Sequence, residues 1–459
     1  MVPHRSRERE RERSHVDVGD RNGSPYTPHT QEETAAMLAA VGVEREDDLF
    51  DIPTAVSFDG TFDIPARSEQ EVEAFAAELL GRNTDLVEFL GRGHYHHYQP
   101  ALVDELARRS EFLTSYTQYQ PEIAQGFLQA LFEYQSLFVE LTGLGVVNCS
   151  IYDAATALGE AATLADRVRS ITGDRILIPD QLVEGRRSVL ENYVAGAGLS
   201  IDEYPLSDGT VDVDALPSMV DEACAMVYFE NPSVTGQIEE HVADISELAT
   251  SHDALATMGS DPVALSVLEP PASLGVDVVI GDAATLGLPA SYGTGLGLFA
   301  TREAYLRQVP GRLVGATTDA ADRRTYTLTL QTREQHIRRE RATSNICTNQ
   351  AWVALRTAMH LAWLGPDGLV DLAGTCMHAT NRLASALDDI PGIEAPVHDG
   401  HHFREFVART RDAPGIAAAV ADAGYLVHVL DDQYLQVCVT DVTASHIDEF
   451  VAVVREELA

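Results

Sequence analysis

The chain of 459 residues contains no lysine; all 32 of its basic residues are arginine. Arginine keeps its proton at any accessible pH and cannot form a Schiff base. Chemistry that needs a side-chain amine as nucleophile is therefore excluded from this polypeptide. Cysteine is also scarce. The five thiols, Cys149, Cys224, Cys347, Cys376 and Cys438, form no CxxC pair. An odd number without paired spacing gives neither a disulfide framework nor a zinc site, and the expectation is reduced, mostly buried thiols in a cytoplasmic protein. No apolar run reaches the roughly 18 residues of a membrane span. No apolar stretch follows the N-terminal arginines, so they do not read as a signal peptide. Positive charge is in short supply: 71 acidic residues leave a formal net charge of −39. A basic face for nucleic acid is excluded. Acid spread over a chain that is 45% apolar points to a halophile's protein, kept soluble where salt screens long-range repulsion.

What is present divides the chain. Residues 1–24, in which RSRERERERS alternates Arg and Glu without an apolar residue, read as a disordered, solvated tail or an over-extended start. Residues 25–110 read as a helical N-terminal region. Thr30 to Glu33 and Ser68 to Glu71 fit capping boxes, followed by apolar positions at Met37, Leu38 and Val41 and at Phe75, Leu79 and Leu80. Over 111–335 short apolar runs alternate with helical patterns: Val146–Cys149, Ile176–Ile178, Ala225–Phe229, Ala254–Met258, Val276–Ile280 and Leu296–Ala300. That rhythm predicts βαβ units, a largely parallel sheet covered on both faces, and ligands gathered at the carboxyl ends of its strands. Residues 336–459 read as a smaller α+β domain. Helices are expected over Ala351–Leu364, Gly368–Leu387, Ile416–Ala423 and Ser445–Leu458. Strands are expected over Phe403–Ala408, Tyr425–Leu430 and Tyr434–Thr440.

One stretch, TSYTQYQPEIAQG at 114–126, carries the densest polar chemistry. Pro121 stops a helix from running through it, so Tyr116, Tyr119 and Gln120 fall on a loop and Glu122 near the start of the next helix. Phe127, Leu128, Leu131, Phe132 and Phe138 give that helix an apolar face. A loop of phenols and amides backed by a buried helix holds polar groups still. The same residues equally suit a buried turn whose hydroxyls satisfy the backbone. Two further loops are rich in polar residues. His94, His96 and His97 sit in GRGHYHHY without a carboxylate or thiol at ligand spacing, so no metal is assigned, and the aromatics are expected to seat that loop against 116–120. Ser150–Thr156 opens a helix, where backbone amides suit an anion, but ordinary capping by Asp153 explains it as well.

A large α/β domain followed by a small α+β domain is similar to the plan of fold-type-I pyridoxal-phosphate (PLP) enzymes. The strings FLGRGHYHHYQPALV, TSYTQYQPEIAQGFLQALFEYQ, NCSIYDAATALGEA, ENPSVTGQIE and RATSNICTNQ narrow it. In unbroken order from about Tyr26 to the C-terminus, they resemble the P-protein of the glycine cleavage system, the decarboxylating glycine dehydrogenase, in its two-chain form. The resemblance implies that PLP is bound covalently to a lysine of subunit 2, which agrees with the lysine-free composition. It implies decarboxylation of glycine and transfer of the aminomethyl group to the lipoyl arm of H-protein, with T- and L-proteins in the same system. Asp282, in GDAATLG, stands roughly where a lysine-bearing loop would be. Three departures stand out: Asp153-Ala-Ala-Thr156 for the usual Asp-Gly-Ala-Thr, Ala284 for Gln, and Arg341 for Lys. They weaken a phosphate site on this chain and leave Tyr116, Tyr119, Gln120 and Glu122 intact as the candidate catalytic residues, lining the wall opposite the partner's cofactor. The alternative is a structural subunit that stabilises the PLP-bearing partner and receives the lipoyl carrier.

Overall fold

The computed structural model describes residues 30–459 except 51, 54, 57–63, 94, 114–117, 119, 170–172, 290–293, 311–312, 330–337, 343, 345 and 348–349. The chain divides into two compact units, at Asn83 and Thr84.

The described residues of the first unit include two α-helices, Gln31–Val41 and Glu69–Leu80. Each starts where the sequence puts a capping box. The Thr30 hydroxyl accepts from Glu33 N at 3.3 Å while Glu33 Oε2 accepts from Thr30 N at 2.7 Å, and Ser68 and Glu71 repeat the exchange. These bonds satisfy amides that a helix start leaves open. Neither helix buries a residue; Met37 and Phe75 on their apolar stripes are exposed.

Among the described residues the second unit holds fifteen short strands. In chain order they are β1 (Val87–Phe89), β2 (Val146–Val147), β3 (Arg175–Pro179), β4 (Ser200–Tyr204), β5 (Leu206–Ser207), β6 (Thr210–Val211), β7 (Cys224–Glu230), β8 (Leu255–Ser260), β9 (Val278–Asp282), β10 (Gly297–Thr301), β11 (Val314–Thr318), β12 (Arg324–Leu328), β13 (Glu405–Arg409), β14 (Tyr425–Val429) and β15 (Tyr434–Cys438). The main sheet runs β2-β10-β9-β8-β7-β3-β4. The five strands from β9 to β4 are parallel, and β10 is antiparallel to both neighbours. Every residue of β7 is buried, as expected of a parallel strand with both faces covered. Alternate side chains serve two cores: Val227 and Phe229 pack with the helix Gln125–Thr142, while Met226 and Tyr228 pack with the helix Ala154–Val168.

The second sheet runs β1-β14-β15-β13 around a third core with Phe89, Leu383, Phe406 and Phe450. β1 lies far upstream, in the stretch that the sequence assigns to the helical region. Three residues, VEF, are too few to show a period, and only pairing parallel to β14 makes them a strand. The long helix Ala351–Asp388 breaks at Gly365 (φ 64°, ψ −179°), next to Pro366, where the sequence ends one helix and begins another. Among the described residues no helix is long and apolar enough to cross a membrane.

The two sheets are joined by a buried charge. Arg404, 1% exposed, reaches from just before β13 to Asp261 at the end of β8, with Nη2 2.7 Å from Oδ2. Breaking one partner of a buried pair leaves the other uncompensated, at about 3–5 kcal/mol. Arg404→Met is therefore expected to lower the free energy of unfolding by roughly that amount in urea titrations. The double variant Arg404→Met/Asp261→Asn should recover much of the loss; no recovery would mean that packing, not charge, sets the cost.

Candidate functional site

The parallel strands end together, and their last residues form the floor of a cleft. Glu230 closes β7, Ser260 and Asp261 close β8, and Asp282 closes β9. The walls come from Val183 and Arg186, from the turn Pro232–Val234, from Thr285, and from Arg92, Gly93 and Tyr95 of the histidine-rich loop.

Its charges are arranged in pairs and exceptions. Arg186 forms a buried ion pair with Glu230, which also accepts from the Tyr228 hydroxyl at 2.8 Å. Asp261 is held by Arg404. The Arg404 guanidinium lies 3.3 Å from the ring centroid of Tyr95 and donates to His97 Nε2 at 3.1 Å. With Nε2 as acceptor, His97 must carry its proton on Nδ1, which faces Asp441 Oδ1 at 2.7 Å. Burial pushes the His97 pKa down, consistent with that neutral tautomer. Next to Arg404, Glu405 is buried and accepts from the Tyr95 hydroxyl at 2.5 Å, from Arg92 N at 2.8 Å and from Gln436 Nε2 at 2.6 Å. Two glycines allow this approach. A Cβ on Gly91 (φ +86°) would lie 2.3 Å from Glu405 Oε2, and one on Gly236 (φ +87°) would lie 1.9 Å from the Glu405 carbonyl oxygen.

The histidine-rich loop thus docks on the C-terminal sheet through Tyr95 and His97, on partners, Arg404, Glu405 and Asp441, that lie more than 300 residues downstream. The expected seat against 116–120 lies largely outside the described residues. Among the described residues no group of three or more His, Cys, Asp or Glu is placed to hold a metal ion. Tyr116 and Tyr119 lie outside the described residues. Gln120 and Glu122 are exposed on the turn ahead of the helix Gln125–Thr142, while Gln118 between the two tyrosines is buried. Gln125 fixes that turn, its amide donating to the Pro121 and Tyr326 carbonyls at 2.6 and 2.8 Å. The cleft residues Arg92, Arg186, Glu230 and Arg404 were not singled out from the sequence. The one available signal was an Arg-Glu pair inside the apolar run at 403–408, since charge in a strand interior demands a buried partner.

A seven-stranded, mostly parallel sheet, a small domain built on the following helix, and a cleft at the strand ends define the fold of the fold-type-I PLP-dependent enzymes. A cysteine desulfurase from Thermococcus onnurineus shares the fold, with a TM-score of 0.60 at 16% identity over 86% of this chain and 99% of that one. The chain belongs to the glycine cleavage system P-protein family, whose profile matches residues 24–454. It is 60% identical over 437 residues to a probable glycine dehydrogenase (decarboxylating) subunit 1 from Halobacterium salinarum, covering 95% of this chain and 99% of that one. A crystal structure of glycine decarboxylase (P-protein) of the glycine cleavage system superposes with a TM-score of 0.84 at 36% identity, over 95% of this chain and all of that one.

The chain's own cleft does not fit PLP. The chain has no lysine, and the aspartate that could face a pyridinium nitrogen, Asp261, is already paired with Arg404. The start of the helix Ala154–Val168, where a phosphate would gain from open amides, is capped by Asp153, whose Oδ1 accepts from Thr156 N at 2.7 Å. Asp282 converges on the same point: a Cβ on Gly295 would lie 3.0 Å from Asp153 Cβ and 3.1 Å from Asp282 Oδ2. Two carboxylates there oppose a phosphate. Capping by Asp153 is therefore what the Ser150–Thr156 loop does.

Burial pushes the Asp282 carboxyl up to about 6, and no arginine forms an ion pair with it among the described residues. A raised carboxyl favours the protonated form in the folded state. Its contribution to stability is full below the unfolded-state value and is lost as pH rises through about 6. Asp282→Asn keeps an oxygen for the amides of Ala284 and Leu296 and cannot ionise. The variant is expected to exceed the wild type by up to about 3 kcal/mol well above pH 6, and to lose that advantage towards pH ~4. Urea unfolding across that range checks it; a difference independent of pH would show that ionisation is not the cause.

Proposed function

We propose that this chain is one half of a two-chain glycine decarboxylase whose PLP is bound covalently to a lysine of subunit 2. The observation that carries the reading is the combination of an intact PLP-enzyme fold with a cleft that opposes the cofactor and a sequence without a side-chain amine. PLP, when bound on the companion, supplies the electron sink for loss of carbon dioxide from glycine. The remaining aminomethyl group bonds to a lipoyl sulfur of H-protein as the lipoyl disulfide is reduced, and T- and L-proteins act further along the same system.

In this reading the chain provides the wall facing that cofactor. Tyr116, Tyr119 and Gln120 orient the reacting groups with phenol and amide hydrogen bonds, and Glu122 holds them from behind. Support comes from Gln120 and Glu122, which are exposed and so available to a second chain, on a turn that Gln125 holds rigid. We take residues 111–335 as the large domain and 336–459 as the small one. The acid-rich composition, suited to concentrated salt, supports a halophile's cytoplasm as the setting of the complex.

Orientation is worth a large factor in rate, so Tyr116→Phe and Tyr119→Phe in the assembled enzyme are expected to slow glycine–bicarbonate exchange roughly 10- to 100-fold. Unchanged exchange would leave this chain a structural and docking subunit. The isolated chain supplied with PLP is expected to show no exchange, and release of labelled carbon dioxide by that chain alone would overturn the two-chain assignment.

A further inference from the structure

The cleft that rejects PLP still holds one unpaired charge of each sign. Arg92, on the wall, forms no ion pair among the described residues; its Nη1 donates to the neutral Gln436 Oε1 at 3.0 Å. Asp282, on the floor, accepts only backbone amides, from Ala284 at 2.8 Å and Leu296 at 3.3 Å. The other lining charges are matched within the protein, Arg186 by Glu230 and Asp261 by Arg404. Two hydroxyls are also unused. Thr285 is 7% exposed, and its Oγ1 has no hydrogen-bond partner; the same holds for the buried Ser260 Oγ. Buried hydroxyls without partners are costly, and a lined cavity that carries them suits a polar occupant.

We infer that this cleft binds a small zwitterionic α-amino acid, its carboxylate on Arg92 and its ammonium on Asp282, with Thr285 and Ser260 donating to or accepting from it. A simple anion would leave Asp282 unpaired and face its repulsion, together with that of Asp153 nearby. A simple cation would leave Arg92 unpaired. Only a dipolar ligand matches both, and a buried carboxylate without a cation is the kind of group that a bound ammonium stabilises. Arg186 faces Asp282 as well but is committed to Glu230. The inference rests on the lining of this chain alone and holds whichever chain carries the cofactor.

The test uses the assembled two-chain enzyme without lipoyl carrier and counts bound labelled glycine by equilibrium dialysis. The absorption change of the cofactor on adding glycine reports occupancy at PLP in the same samples. The expected result is one glycine for each cofactor and one more for each copy of this chain. Asp282→Asn and Arg92→Gln should each remove the additional glycine and leave the cofactor's absorption change as it was. Thr285→Val should weaken it. Acetate and methylamine, each carrying half of the dipole, should compete far less well than glycine. The inference is overturned if the wild type binds only one glycine for each cofactor, if both variants keep the additional one, or if acetate competes as well as glycine does.

Discussion

Arg404 brings a full positive charge into the junction between the two sheets, and the surrounding structure is built to receive it. Desolvation of a guanidinium is expensive, and close opposite charge and hydrogen-bond acceptors offset it; here Nη1 and Nη2 find acceptors and Nε does not. Asp261 supplies the charge, His97 accepts a hydrogen bond, and the face of Tyr95 lies against the cation. Each of these partners is itself fixed. Asp261 also caps the short helix Pro262–Leu265, His97 is oriented by Asp441, and Tyr95 is held by Glu405. One ion pair thus ties the end of β8, the histidine-rich loop and the C-terminal sheet into a single arrangement. The cleft owes its shape to that tie, because Tyr95 and Arg92 form its wall only while the loop stays docked.

The same tie accounts for what the cleft cannot do. In a PLP enzyme of this fold, an acid facing the pyridinium and open amides facing the phosphate hold the cofactor at both ends. Here the first is neutralised by Arg404 and the second by Asp153, so both ends are closed by the protein's own side chains. Absence of lysine then follows no separate logic; there is nothing in this cleft for a lysine to join. A polypeptide can keep the whole fold under these conditions because the fold is stabilised by three apolar cores, two of them on the faces of the main sheet, and not by the cofactor.

Much of this was legible in the sequence where the signal is local. The two capping boxes, the central strands β3, β7, β8, β9 and β10, and the break at Gly365-Pro366 fall where period and punctuation put them, because apolar runs, caps and glycine act within a few residues. The edge strand β4 was not legible: SIDEY is polar, and only its pairing with β3 makes it a strand. The hairpin of β11 and β12 was missed likewise. For the site, strand-end loops and Asp282 were visible, and Asp153 was read both ways. The Arg404 cluster was not, since it joins positions 95, 97, 261, 404 and 441, and no local pattern links them. Charged side chains buried by long-range contacts are the part of a fold that a single sequence conceals.

Composition and site come together in the arginines. A chain carrying −39 needs its few cations where they matter most, and several of them are internal. Arg404 and Arg356 are buried and Arg186 half-buried, each against a carboxylate, Arg356 also donating to the Gly287 carbonyl and lying over Trp352. Guanidinium suits that task better than ammonium, since it is weakly hydrated, planar and able to hold several acceptors at once. The loss of lysine from the surface, as in a protein adapted to concentrated salt, and the use of arginine inside are therefore two outcomes of one chemical preference. In this family member the preference has a further consequence: the chain has no side-chain amine of its own to offer to carbonyl chemistry.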